Sequence, residues 1–367
     1  MKEKTLKKIN WIWWFKNLPG NRNNLYTIIA IIFTLLVIGV LNNTLDNYQI
    51  RVFNLCAIYI ILALSMNLIN GFVGLFSLGH AGFMAVGAYT CALLTMSPEV
   101  KQMNFFLKPM VPWLANVQLP FPAGVLIAGI MAAIAGALIG APVLRLNDDY
   151  LAIATLGFAE IIRIIFTNTQ SITNGALGLK GLPNTVNVWW TWGIAIATII
   201  FMILLIKGSY GKAFKAIRED EIAAEAMGIS LFKHKMMAFI IGSFLAGVGG
   251  ALLGHLMGTI DPLMFRFLLT FNIVLIVVFG GIGSITGNVI SAVIVTIMME
   301  VLRVLDGKMD FGFIQIQGIP GMRMVVFSII LMLVILYWQR GLMGTKEFSW
   351  SWLRKISRRV VFRTKDC

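Results

Sequence analysis

The chain has 367 residues, of which 58% are hydrophobic and only 13% charged, with a formal net charge of +14. A soluble protein covers its outside with polar and charged groups, and too few are present here to do so. The excess of cations would suit nucleic acid, but the lysines and arginines cluster at the two ends and in one internal stretch, as they do in cytoplasmic segments flanking membrane spans.

A helix needs about 20 apolar residues to cross roughly 30 Å of hydrocarbon, and several runs meet or approach that length. A β-barrel would show alternating strands of about ten residues instead. The expected fold class is all-α, a polytopic transmembrane helical bundle.

Residues 1–24 combine Lys2, Lys4, Lys7, Lys8, Lys16 and Arg22 with W-I-W-W-F, Trp11 to Phe15. Aromatics flanked by cations suit a segment lying in the membrane interface. Leu25–Leu41 reads as the first span, with the N-terminus inside. The L-N-N-T-L-D-N that ends it offers no small-residue cleavage site, which argues against a signal peptide. Ile50–Ile69 is the second span. Asn70–Tyr89 follows, with Gly71, Gly74, Gly79, Gly82 and Gly87. Two readings stand: glycines that let helices pack closely, or a broken helix whose end faces substrate.

Ser97–Pro120 is a proline-bearing loop, and Phe121–Val143 a Gly/Ala-rich span. Arg145 marks a cytoplasmic turn. Tyr150–Phe166 is a span that carries Glu160 and Arg163, three apart and so on one helix face. Asn168–Pro183, rich in glycine and small polar residues, suits a structured loop with open backbone N–H groups. Val188–Ile206 is the next span.

Lys207–Lys235 is the long polar break of the second half, holding six cations with Glu219, Asp220, Glu221 and Glu225 among them. Glu221–Met227 favours helix, and Gly228 suits its end. The expectation is a short helix in a basic loop, either gripped by a soluble partner or simply solvated.

Met236–Gly258, Phe267–Val278, Ile285–Val301 and Met322–Trp338 complete the spans. Phe279–Asn288, F-G-G-I-G-S-I-T-G-N, is a second glycine-rich break. The domain reading is 1–24 interfacial, 25–338 membrane-spanning with the 207–235 loop, and 339–367 a basic cytoplasmic tail. The count is about ten spans. An odd number in each half makes any internal repeat an inverted one. Both breaks fall near the inner side, which an inverted repeat does not require, so the repeat has only the paired breaks behind it.

No G-x-x-x-x-G-K-[ST] occurs, since G-S-Y-G-K-A at Gly208–Ala213 has the wrong spacing. H-E-x-x-H and G-x-S-x-G are absent too. His80, His234 and His255 are scattered, and Cys56, Cys91 and Cys367 have neither metal-ligand nor disulfide spacing. No enzyme, metal or cofactor is expected in this chain. Glu160–Arg163 and Glu300–Arg303 read either as charges on a substrate path or, preferably, as helix-end pairs near the outer interface.

Three blocks carry a family resemblance. They are S-L-G-H-A-G-F-M-A-V-G-A-Y (Ser77–Tyr89), L-R-L-N-D-D-Y-L-A-I-A-T-L-G-F-A-E-I-I-R with T-N-G-A-L-G-L (within Leu144–Leu179), and A-I-R-E-D-E-I-A-A-E-A-M-G-I followed by A-F-x-x-x-x-x-x-A-G-V-G-G-A-L (within Ala216–Leu252). Over roughly residues 50–340 the chain resembles the branched-chain amino acid permeases of ATP-binding cassette (ABC) importers. The resemblance implies that Glu221–Gly228 is a coupling helix, with Arg218, Glu221, Ala224, Glu225 and Gly228 engaging an ATPase subunit. ATP and magnesium would bind to partners. Those partners would be a second, related permease, two ATPase subunits and an extracytoplasmic substrate-binding protein. The setting implied is a bacterial plasma (inner) membrane, multi-pass in its lipid, with both termini cytoplasmic. The family often has Gly-Gly where this chain has Asn174-Gly175.

An amino acid brings a carboxylate, served by helix N-termini and glycine-rich backbone, and an ammonium, served by hydroxyls, amides and carbonyls. The path candidates are Ser77, His80, Thr155, Glu160, Asn174 and Ser284. Two alternatives remain: the same machine for urea or a short amide, and an ion-coupled secondary transporter. The second is disfavoured by the absence of a lone acid in mid-span.

Overall fold

The structure is a computed structural model that describes residues 38–41, 44–146, 148–306, 309–310, 315–316, 321–337, 341–344 and 347. The chain divides into two units, Met1–Asp46 with Phe348–Cys367, and Asn47–Glu347. The second is described below. The aromatic N-terminal segment, the first expected span apart from its last four residues, and nearly all of the basic tail lie outside the described residues.

The principal helices are α1 (Asn47–Asn67), α2 (His80–Thr95), α3 (Phe121–Val143), α4 (Asp148–Asn168), α5 (Val188–Lys207), α6 (Ser209–Glu219), α7 (Glu221–Ala226), α8 (Leu231–Met257), α9 (Phe267–Gly280), α10 (Ile285–Val301) and α11 (Met322–Tyr337). Among the described residues, 5 helices are long and apolar enough to cross a membrane: α1 with its continuation to Val73, α3, α4, α5 and α8. The apolar helices α2, α9 and α10 are shorter. The chain is thus an all-α, multi-pass membrane protein, as expected.

Helix α8 is the centre, packed against α3, α2 and α1. Three helices can reach one helix only if it is slim on several sides. Gly247 lies against Gly87 of α2 and Ala132 of α3, Gly250 against the Met84 carbonyl, and Gly242 and Gly249 against Ile69 and Leu62 of α1. A Cβ at Gly87 would strike the backbone of Gly247. Small residues at crossings exchange side-chain volume for close backbone approach, the main source of helix attraction where lipid is as apolar as the protein.

The bundle has two recognisable ends. One carries α6 and α7 and is called the basic end. At the other, β1 (Leu179–Lys180) pairs antiparallel with β2 (Thr259–Ile260). Helix α1 runs toward the basic end and finishes in a π-helical turn, Leu68–Val73. The chain then returns without helix through Gly74–Gly79, and α2 begins part-way along, where His80 meets Ser65 of α1 at 2.7 Å. Helix α2 finishes near the opposite end, where Thr95 meets His255 at 2.7 Å.

Three boundaries differ from the sequence reading. The Ser97–Pro120 loop contains two short helices, Pro98–Asn104 and Pro112–Ala115, each begun by a proline at its first position. Proline fits there because that N–H has no helical partner anyway. Helix α8 begins at Leu231 rather than Met236, so Lys233, His234 and Lys235 belong to it. Within the basic loop, Ser209–Glu219 is a helix, missed because six cations outweighed the spacing of Gly211, Phe214 and Ile217, which share its buried face.

Candidate functional site

At the basic end, α7 is a separate turn-and-a-half of helix. The Asp220 carboxylate caps it, with Oδ1 accepting from the Ala223 N–H at 2.9 Å. Gly228 ends it at φ +82°, and the Ile229 N–H closes onto the Ala224 carbonyl at 3.1 Å. A left-handed residue followed by a bond five positions back is the usual way a helix is stopped and turned. The expected helix and its stop are therefore where the sequence placed them.

Two contacts fix α7 to the bundle. Ala224 is buried, and Glu221 pairs with Lys235 of α8 at 2.5 Å. The other side is open. Ile222 is 83% and Met227 84% exposed, and Glu225 is exposed with them. Two bare apolar side chains beside a carboxylate, on a helix already capped at both ends, form a compact surface for a partner.

Arg218 faces elsewhere. It stands near the end of α6 and points into the bundle, where Nη1 donates to the Gly71 carbonyl at 3.0 Å. Its Nη2 pairs with Glu219 at 2.5 Å. Of the five coupling candidates, Glu225 and Gly228 lie on the open side of the α7 element, Glu221 and Ala224 hold it to the bundle, and Arg218 is turned toward the spans.

Gly71 lies in the first glycine break, and the second break is beside it. The buried Asn67 side chain holds the second: Oδ1 accepts from Gly283 N–H at 2.8 Å, and Nδ2 donates to the Ser284 carbonyl at 3.2 Å. Ser284 Oγ accepts from Gly287 N–H at 3.0 Å and so caps α10. Glu347 adds a carboxylate at the same helix start, accepting from Ile285 N–H at 2.6 Å. Asn67 and Glu347 were not among the sequence candidates. Asn67 sits inside an apolar run, and a polar residue in a span is itself the signal that would have marked it.

Three path candidates come together one layer deeper. Thr155 Oγ1 accepts from the Leu78 N–H at 3.0 Å, and a Cβ at Gly79 would meet the Thr155 carbonyl. The Ser77 backbone is clasped by Asn70, through bonds of 3.2 and 3.3 Å. His80 bonds Ser65 through Nε2, while its buried Nδ1 has no hydrogen-bond partner in the structure. Ser77, His80 and Thr155 are all buried. Gly74 and Gly79 thus serve the interruption, while Gly82 and Gly87 serve packing on Ala159 and Gly247, so each reading of this stretch holds for different glycines.

The other three candidates do not join them. Ser284 belongs to the second break. Asn174 is at the opposite end, at φ 60°, with Nδ2 on the Gly178 carbonyl at 2.7 Å. Asn is the side chain other than glycine that most readily takes this left-handed backbone, so the Asn174-Gly175 pair keeps a turn that Gly-Gly would also allow. Glu160 pairs with Arg163 at 2.7 Å, both side chains half-buried. By helix rise Glu160 is about 12 Å and Arg163 about 7.5 Å from Asn168, so the pair lies in the second half of the 21-residue α4, one to two turns from its end. Arg303 pairs with Glu300 at 3.0 Å, and Tyr48 also bonds Glu300, at the opposite end.

That end also holds a buried cation. Lys101 donates to the Leu114 carbonyl at 2.9 Å and the Val117 carbonyl at 2.5 Å, and burial pushes its ammonium below the usual lysine range. It pins the loop against itself. Among the described residues no cluster of His, Cys, Asp or Glu is suited to a metal ion.

Comparison with known proteins gives one family. A family model described as "Branched-chain amino acid transport system / permease component" matches residues 48–336. The high-affinity branched-chain amino acid transport system permease protein LivM of Escherichia coli is 32% identical over 305 residues, covering 74% of this chain and 67% of that protein. This chain spans about two thirds of the length of that relative and of its counterpart in Salmonella typhimurium, where the share is 66%. LivH of Escherichia coli, named as a permease protein of the same kind of system, is 24% identical over 65% of this chain and 80% of its own length. No solved structure matches.

Proposed function

This chain belongs to the branched-chain amino acid transport permease family, and from that premise we propose that it is a membrane-spanning subunit of an ABC importer for leucine, isoleucine and valine. In this reading separate ATPase subunits bind ATP and magnesium, a second permease related to LivH completes the path, and an extracytoplasmic protein delivers the substrate. The setting is a bacterial plasma membrane, with the basic end and both termini in the cytoplasm. The whole sequence is expected to hold about ten spans by run length.

The observation that carries the reading is α7. It is a helix capped at both ends, tied to α8 by Glu221–Lys235, and left with Ile222 and Met227 bare. Closure of an ATPase pair against that face would push α7, and α8 behind it, toward the bundle. Since α8 touches α1, α2 and α3, its displacement reaches the interrupted helices and opens the path to alternate sides.

The open face of α4 is the surface we assign to the path and the second permease. Ile153 and Ile164 are exposed there beside half-buried Glu160, and a Cβ on Gly157 would meet nothing. The outward faces of α3 and α5, with Leu126, Ile130, Leu138 and Leu204, are apolar and suit lipid. An ion pair within a span is costly against lipid and is tolerated against protein or water. Along such a wall an apolar side chain needs only packing, and the substrate ammonium can share the Glu160 carboxylate.

The test is purification of the tagged chain from its native membrane, identification of what accompanies it, and uptake by the recovered complex in vesicles. Recovery with a second permease and two ATPases, and ATP-dependent leucine uptake that excess urea does not compete away, is the expected result. Uptake that survives ATP depletion and stops when the ion gradient collapses would replace this reading with a secondary transporter.

A further inference from the structure

Nothing in the scheme above requires the two glycine breaks to touch, yet they do, and Arg218 is at the junction. The first break is the π-helical turn of α1 with its return through Gly74, which has φ +87°. The second runs between α9 and α10 through Gly283, at φ +84°. Asn67 crosses from one to the other with two hydrogen bonds, to Gly283 N–H and the Ser284 carbonyl.

Arg218 closes the same junction from outside. Its guanidinium donates to the Gly71 carbonyl at 3.0 Å. Its stem lies on Gly74, where a Cβ would come within 3.0 Å of Cγ. Its Nη1 lies over Gly283, where a Cβ would stand 2.6 Å away. Glycine at both places leaves room for the guanidinium between the breaks, and Glu219 holds its remaining edge at 2.5 Å.

We infer that Arg218 is a positioning residue that locks the two breaks together and links them to the coupling helix, so that both helix interruptions move as one when α7 moves. The chain between is short. Arg218 precedes Glu219, and Asp220 is already the cap of α7. A rotation of α7 is therefore passed to Arg218 through one intervening residue rather than through a flexible loop. A bond from a charged donor to a carbonyl at the edge of a span is strong enough to carry it, because Gly71 stands in the last turn of its helical segment, where carbonyls have no N–H ahead of them to accept from.

The inference rests on the importer reading for its consequence but not for its geometry, and two measurements separate them. The first uses the full chain in detergent and follows backbone hydrogen exchange in segments 68–79 and 279–288. In Arg218→Ala both segments are expected to exchange faster than in the parent protein. Unchanged exchange in 279–288 would overturn the lock, whatever the protein transports. Arg218→Gln, which keeps much of the side chain's stem but loses the charge and the second arm, serves the same measurement should Arg218→Ala not accumulate.

The second uses the complete complex in vesicles and reads leucine taken up per ATP hydrolysed. Arg218→Ala is expected to lower that ratio by about tenfold, the scale set by loss of a charge-assisted hydrogen bond. Arg218→Lys, which keeps one donor, is expected to fall between it and the parent. A ratio equal to the parent's in both variants would overturn the link. Equal loss of ATP hydrolysis and uptake would assign Arg218 to the ATPase contact and overturn it also. If the parent complex takes up no leucine, the importer reading fails and the exchange measurement alone decides the lock.

Discussion

At the residue scale, Gly87 and Asn174 answer different demands. Gly87 exists for closeness: a Cβ there would enter the Gly247 backbone. We expect Gly87→Ala to push α2 from α8 and to lower stability in detergent by roughly 1–3 kcal/mol, as overpacked cores do, read as a lowered Tm. Unchanged Tm would show that this crossing is loose. Asn174 exists for its backbone: it stands at φ 60° and bonds Gly178. We expect Asn174→Gly to keep uptake within about twofold, since glycine holds the same conformation freely, while Asn174→Ala loses roughly 1 kcal/mol of stability. A tenfold or greater loss of uptake in Asn174→Gly would return the residue to the substrate path. Its place in the sequence, in a loop of glycines and small polar residues, did not separate a turn-former from a ligand.

At the scale of elements, α7 was readable and its neighbour was not. Ala, Glu and Met followed by glycine mark a helix and its end by local preference alone. Helix α6 depends on Phe214 and Ile217 finding a buried place, which charge counting conceals. Two substitutions test α7 as a unit. Glu221→Lys replaces the pairing with Lys235 by repulsion, and Gly228→Pro demands φ near −65° where the chain has +82°. Both proteins are expected in the membrane, with uptake reduced at least tenfold while ATP is still hydrolysed. Normal uptake by both would remove α7 from the coupling role. At the opposite end, Lys101→Met leaves the Leu114 and Val117 carbonyls without their donor. We expect a loss of roughly 2 kcal/mol and faster proteolysis within the 98–120 loop, and an unchanged cleavage pattern would show that the tie is dispensable.

At the scale of the molecule, exposure divides the spans into two kinds. Helices α3 and α5 turn apolar side chains outward, while α4 turns outward a face that carries an ion pair. Cysteines placed at Ile153 and Ile164 in the complete complex are expected to react with a water-soluble thiol reagent, or to be shielded by the second permease. Cysteines at Leu138 and Leu204 should behave as lipid-facing and stay unreactive with it. Shielding of the 153 and 164 positions that persists in the isolated chain would place α4 against lipid.

The sequence by itself determined the membrane class, the five long apolar helices, both helix interruptions, the α7 helix with its stop, and the family. These follow from composition, run length, local backbone preference and short motifs, all of which act over a few neighbouring residues. Only the tertiary structure decided that the two breaks meet, that Asn67 and Arg218 join them, and that Ser77, His80 and Thr155 cluster while Asn174 stands at the other end. Asn67 and Gly283 are far apart in the chain and adjacent in space because α1, α9 and α10 pack together. No local preference encodes such a contact, since it depends on where glycines allow helices to cross.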